Sequence, residues 1–382
     1  RLKQVLNIDD LRTLAKARLP RMVFDYIDGG ADDEVTLRES VRRYDDYQLT
    51  WRALKDVTKI DTSTRIMGQK TKFPFFISPT ATTRLFHPAE GELAMARAAE
   101  ARGVIYACST LASQTVEDIA QATSGPKWVQ LYVWKDKEIV RNFLARAKDA
   151  GFTGCILTVD LPVPGNRERD PRNQFAIPPE PNFALARQVI TRPRWAWDML
   201  RSKPIAPANF VHLQGQRDQG GLIGFVNQQF SRAVTWTDLE WIKQFWGKGF
   251  AIKGISRAED AKRAIEVGAD AVWVSNHGGR QLDTSVPTID LLPEIVDAVR
   301  GRADIIADGG VRRGSHVAKL LMAGATGVAL GRASLYGIGA GGEAGVKRAL
   351  SIIEEELVRT MALVGATKIS ELDPELMRSP PR

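Results

Sequence analysis

Only two cysteines, Cys108 and Cys155, occur in 382 residues, and neither belongs to a CxxC pair or sits by a histidine cluster. That spacing argues against a disulfide framework and a zinc site; two reduced thiols inside apolar runs, and no bound metal, are expected. No stretch reaches the roughly 18 uninterrupted apolar residues of a spanning helix, and the charged start RLKQVLNIDD has no signal-peptide core. A cytoplasmic protein is therefore expected. Charge of one sign is scarce as well: 53 Lys+Arg against 45 Asp+Glu leave a net +8, too thin an excess over this length to mark a nucleic-acid binder. What is present is an ordinary globular composition, 44% hydrophobic and 8% aromatic. It is compatible with two domains or one large α/β barrel.

From residue 73 the chain repeats one theme: a short β-branched or aromatic run, a polar or glycine-bearing junction, then an amphipathic stretch. The strand candidates are Phe75 to Thr80, Val104 to Ser109, Trp128 to Val133, Cys155 to Asp160, Phe250 to Gly254, Ala271 to Asn276, Asp304 to Asp308 and Thr326 to Leu330. Helical patterns separate most of them, at Glu90 to Arg102, Thr115 to Thr123, Lys137 to Ala150, Arg257 to Gly268 and Arg313 to Ala323. A doubly wound sheet would carry a phosphate-gripping glycine turn after its first strand, and none is there. GIGAGG at Gly337 to Gly342 follows the last candidate strand, opens no βαβ unit and reads as a chance match in a glycine-rich loop. The expected fold is a (β/α)8 TIM barrel over residues 73–363, forming a single domain with a helical N-terminal extension (1–72) and a C-terminal tail (364–382). In the extension, helices are expected at Ile8 to Ala17 and Arg21 to Ile27. After the fourth strand, 161–249 forms a long insertion, a lid or binding element where a junction is usually a few residues and a helix.

In such a barrel the active site is assembled at the carboxyl ends of the strands, and nearly every candidate strand ends in a polar residue. The series runs Pro79-Thr80-Ala81, Ser109, Gln130 with Tyr132, Thr158 with Asp160, Lys253, Ser275-Asn276-His277 and Asp308-Gly309-Gly310. Any one of these is an ordinary strand end or cap; a full ring of them is a site. DGGVRRG (Asp308 to Gly314) and Gly331-Arg332 follow the last two strands, where barrels hold a phosphate, with backbone N–H groups approaching the anion and arginines forking onto it. SNHGGRQLD (Ser275 to Asp283) places His277 three residues before Arg280, a base beside a carboxylate anchor. The other histidines are weaker: His87 precedes Pro88 at a helix entry, His212 lies in the insertion and His316 within a helical pattern.

FDYIDGGADDE (Phe24 to Glu34), SPTA (Ser78 to Ala81), QLY (Gln130 to Tyr132), TVD (Thr158 to Asp160), RERD (Arg167 to Asp170), IKG (Ile252 to Gly254), SNHGGRQLD and DGGVRRG together resemble the FMN-dependent L-2-hydroxy acid oxidase/dehydrogenase family. The likeness covers essentially the whole chain. TRPRWAWD (Thr191 to Asp198) and DLEWIKQFW (Asp238 to Trp246) look most like its bacterial L-lactate dehydrogenase branch. The resemblance implies bound FMN and oxidation of an L-2-hydroxy acid, L-lactate favoured, to the 2-oxo acid. It implies His277 as the base with Asp160 stabilising its protonated form, and Arg280, Arg167, Tyr26 and Tyr132 on the substrate's carboxylate and hydroxyl. Lys253 would sit by flavin N1 and O2, and the Ala81 backbone by N5, within the Pro79-Thr80-Ala81 turn. Ser109, Gln130, Thr158 and Ser275 would contact the flavin; Asp308, Gly310, Arg312, Gly331 and Arg332 would hold ribityl and phosphate. A homo-oligomer is implied too. Thr82-Thr83-Arg84, which follows the flavin-facing turn, matches no single substrate subfamily, and Leu111 near the substrate side chain suits a small aliphatic acid.

Without a CxxCH haem site, the electron acceptor is external: a quinone, a cytochrome or, in an oxidase, oxygen. A non-catalytic basic barrel bound to nucleic acid would leave His277, Arg280, Lys253 and Asp160 without a purpose. Within 182–204, Arg187, Arg192, Arg194, Arg201 and Lys203 face one acid, Asp198, with Phe183, Trp195 and Trp197 interleaved. Cations mixed with tryptophan suit an anionic membrane surface, placing the protein peripherally on the cytoplasmic face of the inner membrane; a solvated lid over the barrel mouth is the other reading.

Overall fold

The computed structural model describes residues 2–175, 183–211 and 232–378. Helices α1 (Ile8–Arg18), α2 (Arg21–Asp28) and α3 (Val35–Arg42) form the N-terminal extension. The first starts where the Asn7 side chain accepts the Asp10 amide at 2.9 Å, as an N-cap should. Strand β1 (Gln48–Leu49) later pairs antiparallel with β12 (Met377–Arg378), and the hairpin β2 (Thr64–Ile66) and β3 (Gln69–Thr71) precedes the barrel.

The eight expected strands all form, seven of them somewhat shorter than read from sequence and β8 longer: β4 (Phe75–Ile77), β5 (Tyr106–Cys108), β6 (Lys127–Leu131), β7 (Gly154–Thr158), β8 (Gly249–Ile255), β9 (Ala271–Val274), β10 (Asp304–Ala307) and β11 (Gly327–Leu330). They close into a parallel barrel in chain order, with β11 returning to β4. Because inside and outside are both covered, the strands are mostly apolar and buried on both faces, without alternation. Inside, Phe76 meets Trp128 and Trp273 edge to face at 5.1 and 5.3 Å. Ile66 of the hairpin plugs the amino end of the barrel, packed on this inner cluster. The outer ring comprises α4 (Gly91–Arg102), α5 (Val116–Ala122), α6 (Lys137–Asp149), then α7 (Arg169–Arg172), α8 (Phe183–Ile190) and α9 (Pro193–Arg201) in the insertion, and α10 (Trp236–Trp246), α11 (Ala258–Glu266), α12 (Thr288–Val299), α13 (Gly314–Met322) and α14 (Arg332–Val364).

Two readings change. GIGAGG lies inside α14, not in a loop, at a kink where Gly342 has φ +58°; a run of small residues lets the helix bend there rather than grip phosphate. The insertion's described part is anchored: Trp195 Nε1 donates to the Leu85 carbonyl at 2.8 Å, Arg192 Nε to the Leu19 carbonyl at 3.1 Å, and Ala208 N to the Ala112 carbonyl at 2.9 Å. Arg84, in the Thr82-Thr83-Arg84 sequence, donates to the carbonyls of Pro88 (3.1 Å) and Lys203 (2.6 Å), tying the loop after β4 to the end of α9. His212 and the Phe183 side chain lie outside the described residues.

Candidate active site

A cavity of about 250 Å3 opens at the carboxyl end of the barrel. The loop after β4 gives it Pro79, Thr80 and Ala81; β5, β6 and β7 give Ser109, Gln130, Tyr132 and Thr158; β8 gives Lys253. His277 and Arg280 come from the loop after β9, Asp308, Gly310 and Arg312 from the loop after β10, and Gly331 and Arg332 from the end of β11. Tyr26 of α2 and Arg167 of the insertion complete the wall. Two expected residues, Asp160 and Ser275, lie behind this surface, each bonded to a side chain that lines it. Pro79, Thr80, Ala81, Ser109 and Tyr132 lie just past their strand ends, whereas Gln130, Thr158 and Lys253 face the cavity from within the ladder.

His277 sits in the left-handed region at φ +54°, inside a short turn where Asn276 Oδ1 accepts the Gly278 amide at 3.1 Å. A non-glycine residue held there marks a turn built to aim a side chain. Its Nδ1 lies 3.0 and 3.1 Å from the two Asp160 carboxylate oxygens, which leaves Nε2 for a ligand. Burial pushes the Asp160 carboxyl up, but His277 and Lys253 outweigh it and hold the group below its ordinary value, as the anion. Gln281, unmarked in the sequence reading, fastens this turn: its Oε1 accepts the Gly165 amide at 3.1 Å and its Nε2 donates to the Asp160 carbonyl at 3.3 Å.

Beneath the cavity runs a buried polar chain. Lys253 Nζ donates to Ser275 Oγ at 3.0 Å, and the Ser275 hydroxyl donates to Asp308 Oδ1 at 2.7 Å. On the adjoining wall, Gln130 Oε1 accepts from Ser109 Oγ and the Thr110 amide, both at 3.2 Å, and its Nε2 donates to Thr158 Oγ1 at 3.0 Å, so the amide orientation is set.

The cations divide by partner. Arg312 forms no ion pair among the described residues; its side chain donates to its neighbour's carbonyl, Val311, at 2.9 Å, and stacks 5.5 Å from the Tyr336 ring. Arg280 donates to the carbonyls of Tyr26 (2.6 Å) and Gly29 (3.2 Å) and lies 5.0 Å from the Tyr26 ring. Burial, then Arg167, lowers its pKa to about 10, so it remains charged at neutral pH. Arg167 itself pairs with Asp170 at 3.2 Å and covers the Tyr26 ring at 5.4 Å. Burial followed by Asp160 pushes the Tyr132 phenol above its ordinary value, keeping it a neutral hydroxyl.

Arg332, expected at the phosphate, lines the cavity and uses three of its five N–H groups on the backbone. Its Nε and two Nη atoms donate to the carbonyls of Ile27 (2.8 Å), Gly278 (2.7 Å) and Gly29 (2.7 Å). The side chain thus clasps the N-terminal extension to the histidine loop, and burial lowers its pKa to about 9. Asp28 supports the same clasp, accepting from Arg12 at 2.6 and 2.8 Å, the Tyr336 hydroxyl at 2.8 Å and Arg169 at 3.3 Å. Gly30 makes the approach close enough: a Cβ there would stand 2.8 Å from the Gly279 carbonyl oxygen, which accepts the Ala31 amide at 2.8 Å. Within the quoted FDYIDGGADDE motif, Asp28 and Gly30 were visible as types but not as roles.

The barrel, the ring of polar strand ends and the His–Asp pair beside unpaired arginines define a redox enzyme of the flavin-binding barrel class. The model of the FMN-dependent dehydrogenase family matches residues 15–379, and the chain belongs to that family. It is 40% identical over 375 residues to a putative L-lactate dehydrogenase of Mycobacterium tuberculosis, covering 98% of this chain and 89% of that one. It is 42% identical over 369 residues to an L-lactate dehydrogenase of Xanthomonas campestris pv. campestris, covering 95% and 94%. Among solved structures, a monotopic membrane protein, (S)-mandelate dehydrogenase, superposes with a TM-score of 0.94 at 34% identity over 98% of this chain and 100% of that one. A mandelate oxidase variant complexed with (S)-mandelic acid superposes at 0.83 and 34% identity, covering 98% of each chain. The protein is an FMN-dependent 2-hydroxy acid dehydrogenase/oxidase with FMN as its cofactor. The donor set fits that group. Arg312 offers an unmatched cation, a Cβ on Gly331 would meet no atom within 4 Å, which leaves the backbone there open, and Ser109, Gln130 and Thr158 offer fixed polar groups.

Proposed function

We propose that the enzyme oxidises a short L-2-hydroxy acid, L-lactate foremost, to the 2-oxo acid and hands the electrons to an external acceptor, a quinone in preference to oxygen. The observation that carries the reading is one cavity holding an imidazole paired with a carboxylate at 3.0 Å and, beside it, a half-buried arginine that forms no ion pair among the described residues. Arg312, Gly310 and Gly331 would hold the FMN phosphate and Ser109, Gln130, Thr158 and Lys253 its ring, and the cofactor would supply the two-electron acceptor. Arg280, with Arg167, fixes the planar substrate carboxylate by forked hydrogen bonds. The neutral Tyr132 hydroxyl donates to the substrate oxygen. His277 Nε2 takes the proton that the substrate gives up, and Asp160 matches the charge this creates on the ring. Leu111, Phe86 and Leu161 line the cavity and suit a short aliphatic substituent. The curated relatives at 40% and 42% identity carry the L-lactate assignment. The test is anaerobic mixing with a panel of L-2-hydroxy acids, followed by oxygen or a quinone analogue. Fastest bleaching of the flavin by L-lactate and faster reoxidation by quinone support the reading; no bleaching by any member, or bleaching undiminished in His277→Gln, refutes it.

A membrane partner is favoured by one further observation. On α9, Arg194, Trp197, Leu200 and Arg201 share a face, with Trp197 59% and Leu200 81% exposed, and Ile190 at the end of α8 is 78% exposed. Trp195, by contrast, is buried against Leu85. We read the outward face as docking on an anionic bilayer, which fits a lipid-borne acceptor. No helix among the described residues is long and apolar enough to cross a membrane. Binding to anionic vesicles at low salt, lost at high salt and in Trp197→Ser/Leu200→Ser with the flavin retained, supports this; equal binding by that variant refutes it.

A further inference from the structure

Trp273 is an odd choice for its position. It lies mid-strand in β9, fully buried in the cluster that fills the barrel interior with Phe76, Trp128, Ile306 and Ala329. An aliphatic residue would fill such a site without importing a polar atom, and a buried indole N–H must find an acceptor. Here it finds Asp308 Oδ2 at 3.1 Å. The other oxygen of that carboxylate accepts the Ser275 hydroxyl at 2.7 Å, and Ser275 Oγ in turn accepts Lys253 Nζ (3.0 Å) and the His277 backbone N–H (3.0 Å). Lys253 Nζ stands 3.6 Å from Asp308 Oδ2 and 5.6 Å from the centre of the indole ring. The tryptophan therefore touches both ends of the pair, donating to the anion and presenting its ring to the cation.

We propose that Trp273 is a positioning residue that sets how much of the Lys253 charge reaches the flavin. Asp308 is the carboxylate that would draw the ammonium inward. With one oxygen engaged by Trp273 and the other by Ser275, its negative charge is shared over two donors, and Lys253 keeps its hydrogen bond to Ser275 and stands 3.6 Å from Oδ2, short of a direct hydrogen bond to the carboxylate. Among side chains this buried, such fixed dipoles are felt strongly. The inference rests on the proposed placement of Lys253 beside the ring.

Sulfite is the probe, because it adds to an oxidised flavin and leaves negative charge on the ring without any turnover. Two variants isolate the N–H: Trp273→Phe, and site-specific replacement of Trp273 by 3-benzothienylalanine, which keeps the indole's shape and lacks the donor. Both should hold FMN and bind sulfite roughly three- to tenfold more weakly than the wild type, the part of one charged hydrogen bond that is transmitted to the ring. In a Lys253→Met background, where sulfite binding has already weakened, the isostere should cause no further loss. Wild-type sulfite affinity in the benzothienyl protein, or the same fold-loss with and without Lys253, overturns the role of Trp273. Undiminished sulfite affinity in Lys253→Met overturns instead the placement of Lys253, and this inference with it.

Discussion

Asp160→Asn separates the charge behind His277 from its geometry. Both carboxylate oxygens lie within 3.1 Å of Nδ1, and the side chains of Asp160 and His277 are only 15% and 22% exposed. For charges centred about 4 Å apart at an effective dielectric near 20, a protonated His277 gains about 4 kcal/mol from the carboxylate. An amide oxygen at the same place still accepts the Nδ1 proton, which returns about 1 kcal/mol. The net loss of about 3 kcal/mol, felt only once the imidazole is charged, corresponds to roughly two decades in the rate of flavin reduction. The assay is anaerobic stopped-flow reduction by L-lactate, with FMN content and the apparent substrate affinity measured on the same sample. FMN should stay bound, because the Arg312 and Gly331 end is untouched, and affinity should change little, because Arg280 is untouched. A reduction rate within threefold of the wild type refutes the role given to this pair.

Asp28→Asn should cost about 2 kcal/mol near neutral pH. Burial raises the Asp28 carboxyl, but Arg12 and Tyr336 outweigh it and take it from 3.8 to about 2, a depressed value whose stabilisation is present above about 4 and disappears as the pH falls through about 2; urea midpoints of the two proteins should therefore converge in acid, and a constant gap would refute the cause. Gly30→Ala, whose Cβ would press on the Gly279 carbonyl at 2.8 Å, should slow flavin reduction roughly 10- to 100-fold through a shift of the histidine loop while FMN stays bound. Wild-type kinetics in that variant would show that the clasp does not aim His277.

The barrel was legible because the strands are short, almost wholly buried runs, with polar residues at or just past their ends. The cavity was legible for the same reason: His277, Lys253, Gln130 and Arg280 are each fixed to a strand end by a few residues of chain. Roles that depend on distant partners were not. Asp28 depends on Tyr336, 308 positions away, and Arg332 on the carbonyls of Ile27, Gly29 and Gly278. A Gly-Arg pair after the last strand marks the phosphate end of a barrel, but only the fold shows that three of the guanidinium's five N–H groups go to these carbonyls. Trp273 was silent because a tryptophan in an apolar run reads as core, and its function lies in one N–H.

The insertion shows why counting charge along a segment falls short of locating a surface. Its basic residues and two tryptophans read as one amphipathic patch, yet the fold divides them. Trp195 and Arg192 turn inward to the carbonyls of Leu85 and Leu19, while Trp197, Leu200, Arg194 and Arg201 turn outward. Removing 182–204 as a block would therefore strip out both the outward face and the anchors, including the Lys203 carbonyl that Arg84 holds from the loop after β4. That loop also carries Pro79, Thr80 and Ala81 into the cavity. A deletion that lost both vesicle binding and flavin would say nothing about which of the two the segment serves, whereas the paired serine substitutions at Trp197 and Leu200 leave each of these anchors in place and change only what faces outward.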